Sequence, residues 1–564
     1  MKFSDIKYIR PDLTILGEEI LTYIEVFKTA KTAKRQNEII SLINEKRKFY
    51  DTMENICYIR HSVNTSDIFY DRENDFFNEA GPEFFSVVKR FYETVLDSKF
   101  IDELKVLRPV QFFNLAEVSL KIFSDEVIED LQNENKLVSE YDKLIASAKI
   151  DFSGMKLTLA EMGPHLTDND RDMRKDAHEA YFGFFEANED ELDNIYDQLV
   201  HLRHQIALKL GYDNFIDLAY ARMGRTDYSA KDVKVFREAV HEFITPVSNR
   251  LMERQEKRID VDHLMYFDNK YSFKTGNPKP EAAEEKIVDS ARKMYKELSN
   301  ETNEFFGLMV ENEMMDLTAK KGKAAGGYCT YIHGEKMPFI FSNFNGTFGD
   351  VTVLTHEFGH ALQVYCGRHY NEPEFVWPTT EAAEIFSMGM EFITWPWMDL
   401  FFGENDEKFK FMHMQNSLTF IPYGVTVDEF QHEVYENPEL TPKERKTLWR
   451  KIEKKYMPYL DYGDNEYLAR GGFWQKQGHI YEVPFYYIDY TLAQIAAFEI
   501  YNKFDKDRES AWKEYLDMCR VAGSEPFTKL IEKGKLSNPF NNEVIKDIIS
   551  KVEKRISEFD DSKF

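Results

Sequence analysis

Apolar residues recur at spacings of three and four along most of the chain. Ile20, Ile24 and Phe27 form one seam, and Leu192, Ile195, Leu199, Leu202 and Ile206 a second. Ile545, Ile548, Val552, Ile556 and Phe559 form a third near the end. That period is the repeat of amphipathic helices with one face in a core, so the protein is expected to be mainly α. Gly211, just past the second seam, predicts a helix stop. One stretch breaks the pattern. Residues 326–344, GGYCTYIHGEKMPFIFSNF, hold two β-prone runs around a His333-Gly334-Glu335-Lys336 turn and predict a small sheet. The Pro/Lys/Glu-rich text at 275–286 predicts a solvated loop before a helix. A boundary near residue 190 is expected to divide an N-terminal helical region, 1–190, from the remainder, 191–564.

Composition narrows the classes. A hydrophobic content of 43% with 15% aromatic residues excludes a disordered chain. The 99 Asp+Glu outnumber the 72 Lys+Arg, and a net charge of -27 argues against binding a nucleic-acid backbone. Cys57, Cys329, Cys366 and Cys519 lie far apart without a C-x-x-C pair, which predicts reduced thiols. No run of about 18 apolar residues predicts a membrane span, and MKFSDIKYIRPDL lacks a signal-peptide core. A soluble, cytoplasmic protein is expected.

The chemistry concentrates at 350–367, DVTVLTHEFGHALQVYCG. Asp350 reads as an N-cap and Gly367 as a C-terminal stop, so the text between should be helical. His356 and His360 then sit one turn apart on one face and can reach one cation. Glu357 stands beside them, where it can take a proton from an activated water. The bland alternative is a pair of structural histidines. A metzincin would need Gly at 363 and His at 366, and this chain has Gln363 and Cys366. The remaining option is a glutamate from a second helix, as in His₂Glu zinc sites. Residues 377–396, WPTTEAAEIFSMGMEFITWP, predict one, capped by Thr379 or Thr380 and ended at Pro396. It is apolar apart from Glu381, Glu384 and Glu391. A buried carboxylate there needs a partner. Spacing alone leaves Glu381 and Glu384 open.

The sequence resembles the zinc oligopeptidases that include thimet oligopeptidase and oligoendopeptidase F, and is most like the bacterial oligoendopeptidase F or Pz-peptidase branch. The likeness rests on DVxxLxHEFGHAL at 350–362, on ExxSxxxE at Glu384, Ser387 and Glu391, and on HIYEVPFYYIDY at 479–490. Weaker likeness runs through about 150–540, including LGYDNFIDLAYARMGRTDY at 210–228. The resemblance implies one Zn²⁺ per chain held by His356, His360 and Glu384. It leaves Glu381 and Glu391 as candidates to bond a ligand histidine. It also implies that a histidine and tyrosines of the third motif contact substrate and transition state. His479 and Tyr490 are the leading candidates, followed by Tyr487 and Tyr486. A two-lobed helical body around a deep channel is implied, with the zinc helix on its wall. Pro338 to Phe344 could then be an edge strand that pairs with an extended peptide.

The function expected is a zinc endopeptidase that cleaves short unstructured peptides, with Glu357 as general base. The near alternative is a zinc carboxypeptidase or dipeptidase, for which Arg470 would capture a terminal carboxylate. A non-catalytic peptide-binding protein is the distant one, and an intact Glu357 argues against it. Cys366 is expected to be a packed small residue.

Overall fold

Helices carry the chain, and all three seams are core-facing. The computed structural model describes residues 1–280, 284–324 and 326–564. Helix Leu13–Thr29 buries Ile20, Ile24 and Phe27. Helix Asn542–Glu558 buries Ile545, Ile548, Val552 and Ile556, with Phe559 buried just beyond its end. Helix Glu189–Lys209 buries Leu192, Ile195, Leu199 and Ile206, but Leu202 is only half-buried. Arg203 takes the inner position instead. It donates to Glu134 at 2.6 Å, to the Tyr435 hydroxyl at 3.0 Å and to the Tyr481 carbonyl at 2.5 Å, so this buried cation is paired. Gly211, at φ +85°, ends the helix as expected. Its N–H and that of Tyr212 fold back onto the Leu208 and Ala207 carbonyls. Residues 275–280 carry no helix or strand, and a helix begins at Glu284. The rest of that expected loop, 281–283, lies outside the described residues.

A hairpin of β1 (Ile150–Phe152) and β2 (Met155–Leu157) precedes a three-stranded sheet of β3 (Met315–Thr318), β4 (Tyr328–Ile332) and β5 (Met337–Phe344). The sheet order is β3-β5-β4. β4 pairs antiparallel with β5 from Tyr328↔Phe341 to Ile332↔Met337, around the expected turn. β3 pairs with β5 in parallel. Residues 338–344 are therefore the central strand, which corrects the expectation of an edge. β3 covers the other side, and four residues are too few to display a two-residue period. The outer strands are β3 and β4, and the second half of β4 is tied to α1 (Ala33–Val63). Asn55 donates to the Tyr331 carbonyl at 3.2 Å and accepts from the Thr330 hydroxyl at 2.9 Å.

β5 leads into α2 (Gly349–Gly367). Asp350 is not the N-cap. Phe348, which precedes the helix, is already helical at φ -55° and ψ -25°, so Asp350 falls inside the first turn. Its carboxylate accepts from the Asn345 and Gly346 N–H groups at 2.9 and 2.8 Å and fixes the strand-to-helix bend. α3 (Thr380–Ile393) follows Thr379, and a short turn containing Pro396 comes after it, as expected. α2 crosses α3 at Gly359, where a Cβ would come within 2.3 Å of the Phe386 carbonyl oxygen. Glycine alone allows that approach. α4 (Asp406–Glu436) and α5 (Tyr487–Lys506) pack around this pair over one continuous apolar core. No described helix is long and apolar enough to cross a membrane.

Candidate active site

The α2–α3 crossing brings three ligand-type atoms together. His356 and His360 are one turn apart, and their rings stand nearly perpendicular at 82° with centroids 5.0 Å apart. Both Nε2 atoms face the same oxygen of Glu384, His356 at 3.3 Å and His360 at 3.4 Å. Among the described residues this trio is the group whose donor atoms all lie within 4.8 Å of one another. An ion with ligands at about 2.0–2.2 Å in tetrahedral array holds them about 3.3–3.6 Å apart. The observed separations match that edge. Glu381, which spacing left open, is not in the cluster. It is fully buried and accepts from the Thr379 hydroxyl at 2.9 Å, and burial pushes its carboxyl up to about 8.

A chain of hydrogen bonds behind the cluster fixes where the protons sit. The Trp395 indole can only donate, and it donates to His413 Nδ1 at 3.0 Å. The His413 proton is therefore on Nε2, which reaches Glu391 Oε2 at 2.6 Å. The other oxygen of Glu391 accepts from His356 Nδ1 at 2.7 Å. With Nδ1 engaged, His356 Nε2 faces a Glu384 oxygen, and against the cost of burial the Glu384 and Glu391 carboxylates hold this imidazole well above the usual histidine range. The 3.3 Å between this nitrogen and the carboxylate oxygen holds a cation, a proton when the site is empty and a metal ion when it is loaded. Ser387 adds a bond to Glu384 Oε2 at 2.8 Å. Of the two acids held as candidates to bond a ligand histidine, Glu391 does so and Glu381 does not.

The remaining site residues line the approach to this cluster. Glu357 is 6% exposed, its Oε2 has no hydrogen-bond partner, and burial pushes its carboxyl upward. Gly327, just before β4, stands close enough that a Cβ there would lie 3.5 Å from Glu357 Oε1. Opposite, Tyr486 donates to Glu384 Oε1 at 2.7 Å, and Tyr490 donates to the Tyr486 hydroxyl at 3.1 Å. Tyr490 also lies 3.5 Å from His479 Nε2, while Gln477 meets His479 Nδ1 at 2.9 Å. Burial lowers His479 to about 4, so it is neutral at neutral pH. Burial also pushes the Tyr490 hydroxyl well above its usual range, which keeps it a donor. Tyr487 packs edge-on against His479, with centroids 5.1 Å apart.

Two groups were not anticipated from sequence, His413 and Trp395. Each is a single polar-tipped residue in apolar text, and neither carries a spacing signal. Arg470 is bound to Glu189 at 2.6 Å and Glu186 at 3.3 Å, and none of these groups belongs to the cluster. The four cysteines are free, as expected.

A mainly helical, two-lobed body with this His-His-Glu cluster is that of a metallopeptidase. Residues 165–548 match peptidase family M3, and residues 3–123 match the peptidase M3 N-terminal domain. The chain belongs to peptidase family M3, in its oligoendopeptidase F branch, and is a metalloendopeptidase. It is 52% identical to the solved PZ peptidase A with an inhibitor, over 99% of this chain and 100% of that one, at a TM-score of 0.97. A structure provisionally described as oligoendopeptidase F, from Bacillus anthracis str. Ames, is 49% identical over 100% of this chain and 99% of that one, at a TM-score of 0.93. Oligopeptidase PepF of Bacillus subtilis (strain 168) is 22% identical over 534 residues, 88% of this chain and 77% of that protein.

Proposed function

We propose that the chain is a zinc endopeptidase of short, unstructured peptides, with His356, His360 and Glu384 holding one Zn²⁺. The observation that carries this reading is the pair of imidazole nitrogens facing one Glu384 oxygen at 3.3 and 3.4 Å. Their atom types favour zinc, which takes N and O ligands in closed or three-ligand open sites. When bound, such an ion supplies Lewis acidity that lowers the pKa of a water to about 7 and polarises a carbonyl.

The chain's own residues do the rest. Glu357, raised by burial and without a partner on Oε2, takes the water proton and passes it to the leaving nitrogen. Tyr490 and the neutral His479 bracket the position where the carbonyl oxygen gains charge. A preorganised donor there is worth about 3–4 kcal/mol. Tyr486 is held by Glu384 and orients Tyr490. The free thiols support a cytoplasmic setting, and the break between helices at Asn188 supports a division of the chain near residue 190.

The test is cleavage of an end-blocked fluorogenic peptide by protein assayed for metal. Chelation is expected to abolish cleavage and zinc to restore it. Glu357→Gln is expected to keep one zinc and lose nearly all turnover. Near wild-type kcat in that zinc-replete variant removes Glu357 from the base role. Activity that survives complete metal removal sinks the whole reading.

A further inference from the structure

The stretch 210–228 carries part of the family likeness, yet the reaction scheme gives it no task. Its helix, Phe215–Arg222, closes in a Schellman turn. The Gly224 N–H bonds the Ala221 carbonyl at 2.9 Å, and the Arg225 N–H bonds the Tyr220 carbonyl at 3.2 Å. Gly224, at φ +69°, permits that turn. Arg225 is thereby sent into the interior, where it is buried with its guanidinium 4.4 Å from the centre of the Tyr220 ring. One of its nitrogens, Nη2, donates to the Phe485 carbonyl at 2.7 Å and to Asp489 Oδ1 at 2.5 Å.

Phe485 is where this contact counts. It lies in the bend between helix Gly478–Glu482, which carries His479, and α5, which carries Tyr490. Its φ is +67°, in the left-handed region that a bulky side chain avoids. Such a conformation persists only where the surroundings over-determine it, and it recurs at functional sites. Phe485 is held from both sides. Its N–H donates to the buried Gln431 of α4 at 3.0 Å, and its carbonyl accepts from Arg225. Asp489, in the first turn of α5, offers its other oxygen to the Thr380 hydroxyl at the start of α3. The guanidinium therefore joins the bend, the tyrosine helix and, through Asp489, the helix that carries Glu384. Released to an ordinary φ, Phe485 would turn the His479 helix against α5. The 3.5 Å approach of Tyr490 to His479 depends on that angle.

We propose that Arg225 is a positioning residue of the peptidase: by holding Phe485 left-handed and Asp489 in place, it sets Tyr490 and His479 where the carbonyl oxygen gains charge. This deepens the proposed function and rests on it. The experiment measures kcat and KM for an end-blocked fluorogenic peptide on zinc-loaded wild type, Arg225→Met, Tyr490→Phe and the double variant. Removing one preorganised donor costs about 10²–10³ in kcat. Arg225→Met is expected to lower kcat about 100-fold, with KM within about twofold of wild type and one zinc retained. In the Tyr490→Phe background the same change is expected to cost at most about tenfold, because the donor it positions is already gone. Should Arg225→Met fail to fold, Gln431→Met, which removes the acceptor on the other side of Phe485, decides the matter on the same terms.

A loss of equal size in both backgrounds overturns the inference, since a residue that only supports the fold weakens both alike. A loss that falls on KM or on zinc content overturns it too, as does an undiminished kcat. In each of these cases continued cleavage by wild type leaves the metallopeptidase reading standing. If zinc-loaded wild type cleaves no peptide, the proposed function falls and this inference falls with it.

Discussion

A single indole hydrogen orients the hydrogen bonds behind the candidate metal site. Trp395 fixes His413, His413 fixes Glu391, and Glu391 holds His356 Nδ1 so that Nε2 faces the cluster. Replacing Glu391 by Gln keeps the shape but puts an amide N–H₂ against a donor, so one link must break. Zinc affinity of Glu391→Gln is expected to fall about 10–100-fold with the helix content unchanged. Competition against a chromogenic chelator measures it, and an unaltered affinity removes the chain of bonds from any role. The two candidate ligand histidines were legible because the four-residue repeat of H-E-x-x-H has one geometric meaning on a helix. Glu384 needed the family likeness, since Glu381 sits three residues away on the same buried turn. His413 and Trp395 were illegible, because a lone histidine in apolar text has no periodicity to betray it.

At the scale of elements, the cluster exists because two helices touch at Gly359. A Cβ there meets the Phe386 carbonyl oxygen at 2.3 Å and Ser387 Cα at 2.7 Å, both backbone, so neither can swing aside. Gly359→Ala must push α2 from α3 and spread the candidate ligands they carry. The expected cost is about 1–3 kcal/mol of stability together with weakened zinc binding. Gly183 makes the control. It lies inside helix Arg171–Ala187 with nothing within 4 Å of its would-be Cβ, so Gly183→Ala is expected to stabilise by about 0.5–1 kcal/mol. Denaturation with a parallel zinc titration separates the two, and equal behaviour of both variants sinks the argument. Helix existence was legible wherever the three-and-four spacing ran for several turns. Strand order was not. Two β-prone runs announced a hairpin, but β3 is only four residues long and joins from outside the stretch.

Across the whole molecule, net charge was readable from composition while the cost of buried charge was not, because it depends on which titratable groups the packing encloses. His178 is a case the seams gave no hint of. It is 6% exposed, donates from Nδ1 to the Arg174 carbonyl at 2.9 Å, and packs edge-on against Tyr266. Burial lowers it to about 4, with Lys270, Lys476 and Arg174 adding to the shift. An unfolded histidine titrates near 6.5. Between those values the unfolded chain binds more protons than the folded one, so acid draws the equilibrium toward unfolding. No penalty applies above about pH 6.5, and it grows as pH falls toward 4. By pH 5 it amounts to about 2 kcal/mol for this one residue. His178→Asn keeps a donor for the Arg174 carbonyl and removes the titration. Other groups, including Glu381 and Asp51 with their raised carboxyls, also shift with pH, so the comparison must be of slopes. The stability lost between pH 7 and pH 5, measured on zinc-loaded protein by urea unfolding, is expected to be about 2 kcal/mol smaller in the variant. Matching losses in the two proteins would mean that His178 is already protonated in the fold, or solvated enough to titrate normally.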